Sequence, residues 1–111
     1  MATPIYRQGP QGSRSLLNIT AATLVSLGQG MAFNVSILVS PTAAGGIYDS
    51  ATVAGAAQSN MIAPIAVGEV GIIHLDGIWF FNGLVINPGT GGAVSVWYSP
   101  SNTGTPLNIS Y

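Results

Sequence analysis

His74-Leu75-Asp76 places an imidazole and a carboxylate two residues apart, a spacing that puts both on one face of a β-strand. Such a pair can share one metal ion or pass one proton. Glu69 adds a second carboxylate nearby in the chain. A catalytic metal centre, however, takes three protein ligands as a rule, and this chain has one histidine, no cysteine and no HExxH. The plainer reading is a histidine at a strand end followed by an aspartate in an Asp76-Gly77 turn. No metal site and no cofactor are expected.

Other reactive combinations fail on similar grounds. Asp49, Glu69 and Asp76 are the acids from which a glycosidase pair would have to be drawn. Asp76 reads as a turn residue and Glu69 as a loop residue. Asp49 shares a strand face with Ile47 and Ala51, so it is expected to be the most buried of the three, without an evident partner. Hydroxyl nucleophiles are plentiful, but the sole imidazole base is His74 and no GxSxG occurs. Gly89-Thr90-Gly91-Gly92 lacks the lysine and the following helix of a phosphate loop. Arg7 and Arg14 are too few for a phosphate-tracking patch, so nucleic acid is not an expected partner. The chain is not expected to be an enzyme.

The aromatics Tyr48, Trp79, Phe80, Phe81, Trp97 and Tyr98 offer planes on which a sugar could stack. More often such residues are core or interface. Trp79-Phe80-Phe81 in a strand must point to both faces, which requires cover on both sides. Trp79, Phe80, Phe81 and Trp97 are therefore the candidate oligomer-interface residues. An exposed tryptophan set among polar groups would instead favour a module that binds carbohydrate or a receptor.

These residues are carried by strands. Met31-Ala32-Phe33-Asn34-Val35-Ser36-Ile37-Leu38-Val39-Ser40 has large apolar residues at every odd position, the period of a half-buried β-strand. Gly28 and Gly30 precede it and Pro41 follows. Residues 15–20 and 23–27 are expected to form one bent strand or a short pair, and further strands are expected at 47–53, 61–66, 70–75, 83–87, 93–99 and 107–111, with Pro64 marking an edge or a bulge. Residues 54–60 have room for a loop or one helical turn. Pro88-Gly89-Thr90-Gly91-Gly92 is strongly turn-forming, and 83–99 is expected to be a β-hairpin. About eight strands separated by turn residues give an all-β fold, a single antiparallel sandwich of jelly-roll type over residues 16–111. Residues 1–15, with Pro4, Gly9, Pro10, Gly12 and both arginines, read as an extended N-terminal arm.

Composition sharpens the picture. Of 111 residues 48% are apolar, yet only five are charged, with no lysine and a net charge of −1. Globular chains usually carry about a quarter charged residues, which keep their surfaces solvated and apart. A chain without them relies on Ser, Thr, Asn and Gln, or hides its surface against other subunits. No apolar run approaches the ~20 residues that span a bilayer, so no membrane association is expected. The polar first fifteen residues carry no leader-like apolar stretch. Synthesis and folding in a cytoplasm are expected, in keeping with the absence of cysteine. On that footing the sequons at Asn18, Asn34 and Asn108 are chance.

Ile19-Thr20-Ala21-Ala22-Thr23-Leu24-Val25, Phe33-Asn34-Val35-Ser36-Ile37-Leu38-Val39, Ala44-Gly45-Gly46-Ile47-Tyr48-Asp49-Ser50-Ala51, Asn60-Met61-Ile62-Ala63-Pro64-Ile65 and Gly83-Leu84-Val85-Ile86-Asn87-Pro88-Gly89-Thr90-Gly91 together have a familiar wording of strands and turns. Over roughly residues 15–99 the chain resembles small β-structured virion proteins of tailed bacteriophages, of the capsid decoration or cement kind. The resemblance implies a homo-oligomer, a trimer in the first instance and a dimer next. It implies binding to the major capsid protein on the outside of the assembled head, which it stabilises, after synthesis in the host bacterial cytoplasm. Ile5, Tyr6, Arg7 and Arg14 of the arm are the candidate capsid-binding residues. The alternative is a tail or fibre-base module that binds a receptor or a carbohydrate through Trp79 or Trp97.

Overall fold

The computed structural model describes residues 13–100 and, as backbone, residues 5–8. The strand expected at 107–111 lies outside the described residues. Among the described residues there are nine strands: β1 (Ile5–Gln8), β2 (Arg14–Ile19), β3 (Thr23–Leu27), β4 (Gly30–Val39), β5 (Gly45–Asp49), β6 (Met61–Ile65), β7 (Gly71–Phe80), β8 (Gly83–Asn87) and β9 (Ala93–Pro100). They form a five-stranded sheet ordered β1-β2-β9-β4-β7 and a four-stranded sheet ordered β3-β8-β5-β6, with every pair antiparallel. Strands β2 to β9 taken alone give two four-stranded sheets in the order of a jelly roll, and β1 extends the first. The chain is thus an all-β antiparallel sandwich.

Alternation explains the core. Leu16 and Ile19 of β2, Val94, Val96 and Tyr98 of β9, and Phe80 of β7 point inward from the larger sheet. Ile47 of β5, Ile65 of β6, and Leu84 and Ile86 of β8 meet them from the smaller one. Each fully buried side chain of this size contributes about 1.5–3 kcal/mol relative to exposure. Pro64 sits on β6, an edge strand, where a missing N–H costs no ladder bond.

Three expectations change. The period in 31–40 breaks at Phe33, which is bulged against β9: Ala32 lies opposite Tyr98 and Asn34 opposite Trp97. One extra residue swaps the faces, so Val35 and Ile37 are buried but Ala32, rather than Met31 or Phe33, is buried before the bulge.

Asp76-Gly77 does not reverse the chain. It is a bulge within β7, with positive φ at both residues (55° and 80°), and Ile78 and Trp79 resume pairing with Ala32 and Met31. The residues suited to a turn are equally suited to this kink, and the pairing beyond it decides which forms.

Finally, 83–99 is not a hairpin. β8 pairs with β3 and β5, whereas β9 pairs with β2 and β4, so the 88–92 loop crosses from one sheet to the other. The Pro-Gly turn chemistry is present, with φ of 87° at Gly89 and 74° at Gly91. What it joins is set by partners distant in the chain.

Part of the expected arm is also folded. Residues 5–8 pair with 14–17 as the edge strand β1, and Arg14 opens β2. Residues 1–4 and 9–12, and the side chains of Ile5, Tyr6 and Arg7, lie outside the described residues.

Candidate functional site on the outer face of the five-stranded sheet

β9 is the central strand of the larger sheet. Because Val96 and Tyr98 face the core, Ser95, Trp97 and Ser99 must face outward. Trp97 is 54% exposed. Its register partners are Ser15 on β2 and Asn34 on β4, and Asn34 is in turn opposite His74 on β7. Ser15, Trp97, Asn34 and His74 therefore form one row across four strands, with directly opposed side chains about 5 Å apart. Ser95 and Ser99 flank Trp97 along its own strand. None of these positions carries Asp, Glu, Lys or Arg.

The polar groups of the row are uncommitted. Among the described residues no hydrogen bond engages the side chain of Ser15, Asn34, His74 or Ser99, and only the Ser95 hydroxyl oxygen is used, accepting from the Asn18 N–H at 3.2 Å. Met31 and Trp79 form a neighbouring outward row, Trp79 being 49% exposed. The space beside Gly77 is bordered by Met31 and Phe33, so these two lie over the β7 bulge.

Among the interface candidates, Trp79, Phe81 and Trp97 are exposed, but Phe80 is not. It is fully buried opposite Gly30, because the alternation that turns Trp79 outward turns its neighbour into the core. Phe80 is a core residue and leaves the candidate set. Phe81 sits in the β7–β8 turn beside the end of β3, where the Gly28 N–H donates to the Asn82 carbonyl at 3.0 Å. Leu27, at the end of β3, is a further exposed apolar side chain, 70% accessible.

The acids are accounted for structurally. Asp49, for which the sequence offered no partner, accepts hydrogen bonds from the backbone N–H groups of Phe81, Asn82 and Gly83 at 2.9, 2.8 and 3.4 Å. Glu69 accepts from the Ala66 N–H at 2.9 Å and closes the 66–69 turn. Asp76 is exposed in the bulge, and no hydrogen bond or ion pair among the described residues joins it to His74. No group of three or more metal-ligating side chains occurs among the described residues. Arg14, an arm candidate, shares a register position with the buried Tyr98, and its Nε is buried without a hydrogen-bond partner.

Sequence reasoning singled out Trp97 but missed Ser15, Asn34, Ser95 and Ser99 around it. Each sits at an outward position of its strand, a signal that becomes useful once the strand order is known. Comparisons with protein-family models, curated proteins and solved structures returned no match.

Proposed function

We propose that this protein is a capsid decoration protein of a tailed phage: a homo-oligomer that binds the outside of the assembled head and strengthens it. The observation that carries the reading is the mismatch between its exterior and water. Among the described residues eleven large apolar side chains are exposed, against one exposed ionic side chain, Asp76. Such an exterior fits a chain that shares its surface with identical copies and a larger scaffold. The jelly roll fits too, as a fold that recurs in viral coats, although fold alone does not assign function. The resemblance over residues 15–99 points the same way.

In this reading Leu27, Trp79 and Phe81 meet a neighbouring copy, with a trimer as the first expectation. The β1 edge strand, with Ile5, Tyr6 and Arg7, faces the major capsid protein. Stabilisation follows by mass action, since a ligand that binds only the assembled shell favours that state.

The test is sedimentation of the full chain alone and with purified phage heads. Discrete oligomers that co-pellet with heads, and lose co-pelleting when residues 2–8 are deleted, support the reading. A monodisperse single chain with no affinity for heads overturns it.

A further inference from the structure

The surroundings of Trp97 differ from those of Trp79. Trp79 faces Met31 across the strands, with Ser99 beyond it and the exposed Phe81 two residues on in the chain, a more apolar setting suited to a contact that excludes water. Around Trp97, at the middle of the sheet, Ser15 and Asn34 are the register partners and Ser95 and Ser99 the outward neighbours on β9, with the bulged Phe33 beside Asn34, Met31 opposite Ser99, and His74 one strand beyond Asn34. An apolar subunit contact would bury these hydroxyls and this amide with nothing to satisfy them, which is costly.

We infer that this face is a binding site for a neutral, hydroxyl-rich oligosaccharide, with Trp97 as the stacking plane. The chemistry of the ligand follows from three features. A half-exposed indole offers a flat apolar surface with one N–H donor, suited to the C–H face of a sugar ring. The surrounding serines, the Asn34 amide and the His74 imidazole are donors and acceptors that can pair with sugar hydroxyls, and the structure leaves all but the Ser95 oxygen unengaged. No Lys or Arg stands among these positions to pair with a carboxylate, sulfate or phosphate, so an acidic glycan has no counter-charge there. The sheet also presents the row on paired strands rather than on mobile loops, so little ordering is needed on binding.

This inference does not rest on the virion reading, and it removes Trp97 from the subunit contact while leaving Trp79 and Phe81 in it. The experiment is a glycan array carrying neutral, sialylated and sulfated glycans, probed with the full chain and with the Trp97→Ala, Trp97→Tyr and Asn34→Ala variants. Expected is binding to one or more neutral glycans, weakened roughly tenfold or more in Trp97→Ala and partly kept in Trp97→Tyr. Asn34→Ala should bind more weakly with unchanged melting. Sedimentation of Trp97→Ala should match the parent chain, which separates failure of this site from failure of assembly. Binding to no glycan, binding only to acidic ones, or neutral binding that Trp97→Ala leaves intact overturns the inference.

Discussion

The Asp49 carboxylate takes the backbone N–H of Asn82 at 2.8 Å, tying the end of β5 to the turn between β7 and β8. With Phe81 and Gly83 also donating to it, one side chain satisfies three N–H groups of a turn that joins the two sheets. Charge-assisted bonds of this kind are stronger than neutral ones. Asp49→Ala is therefore expected to destabilise the fold by about 2–3 kcal/mol, and Asp49→Asn by less, since one oxygen acceptor remains. Urea denaturation measures both, and an unchanged midpoint for Asp49→Ala would contradict the role.

Phe80 and Phe81 are neighbours with opposite fates. Phe80→Ala opens a cavity between the sheets and should cost about 3–5 kcal/mol. Phe81, 59% exposed, should lose little stability as Ala, and in the proposed oligomer its loss should weaken self-association. Denaturation and sedimentation of the two variants, run together, separate core from contact. Equal destabilisation would refute the assignment.

Gly89 and Gly28 share nearly the same backbone, with φ of 87° and 89°. A Cβ on Gly28 meets nothing within 4 Å, whereas one on Gly89 would collide with the Ala43 carbonyl oxygen and Pro41. Gly28→Ala should cost only the left-handed strain, about 1–2 kcal/mol. Gly89→Ala should cost clearly more. The difference in melting temperature reads the packing term alone, and a tie would mean the 41–45 and 88–92 loops yield freely.

Asp76, at φ 55° in the β7 bulge, pays a smaller strain because Asp tolerates this region. Asp76→Gly should be neutral or slightly stabilising, and Asp76→Val destabilising by about 1–2 kcal/mol. A destabilised Asp76→Gly would show that the carboxylate itself holds the kink.

What could be read from the chain was local. The spacing of Val94, Val96 and Tyr98 marks β9, the Pro88-Gly89 pair marks a reversal, and the scarcity of charge marks an unusual exterior. What escaped was pairing. Nothing within 83–99 says that β8 bonds to β3 while β9 bonds to β2, because those partners lie far earlier in the chain, Thr23 opposite Ile86 and Arg14 opposite Tyr98. The Phe33 and Asp76-Gly77 bulges were hidden for the same reason, since a bulge exists only relative to the strand opposite. The Trp97 site shares this origin: its indole was visible, but Ser15, Asn34 and His74 become its companions only through register.

Among the described strands, six of the eight links between successive strands cross from one sheet to the other. The middle strand of the larger sheet, β9, follows all the other described strands in sequence, and its two flanks, β2 and β4, must wait for it. A nascent chain would thus leave the ribosome with β2 and β4 unjoined. The larger sheet closes only after β9 emerges, a late and long-range step that makes for slow maturation and an interval of vulnerability to clumping.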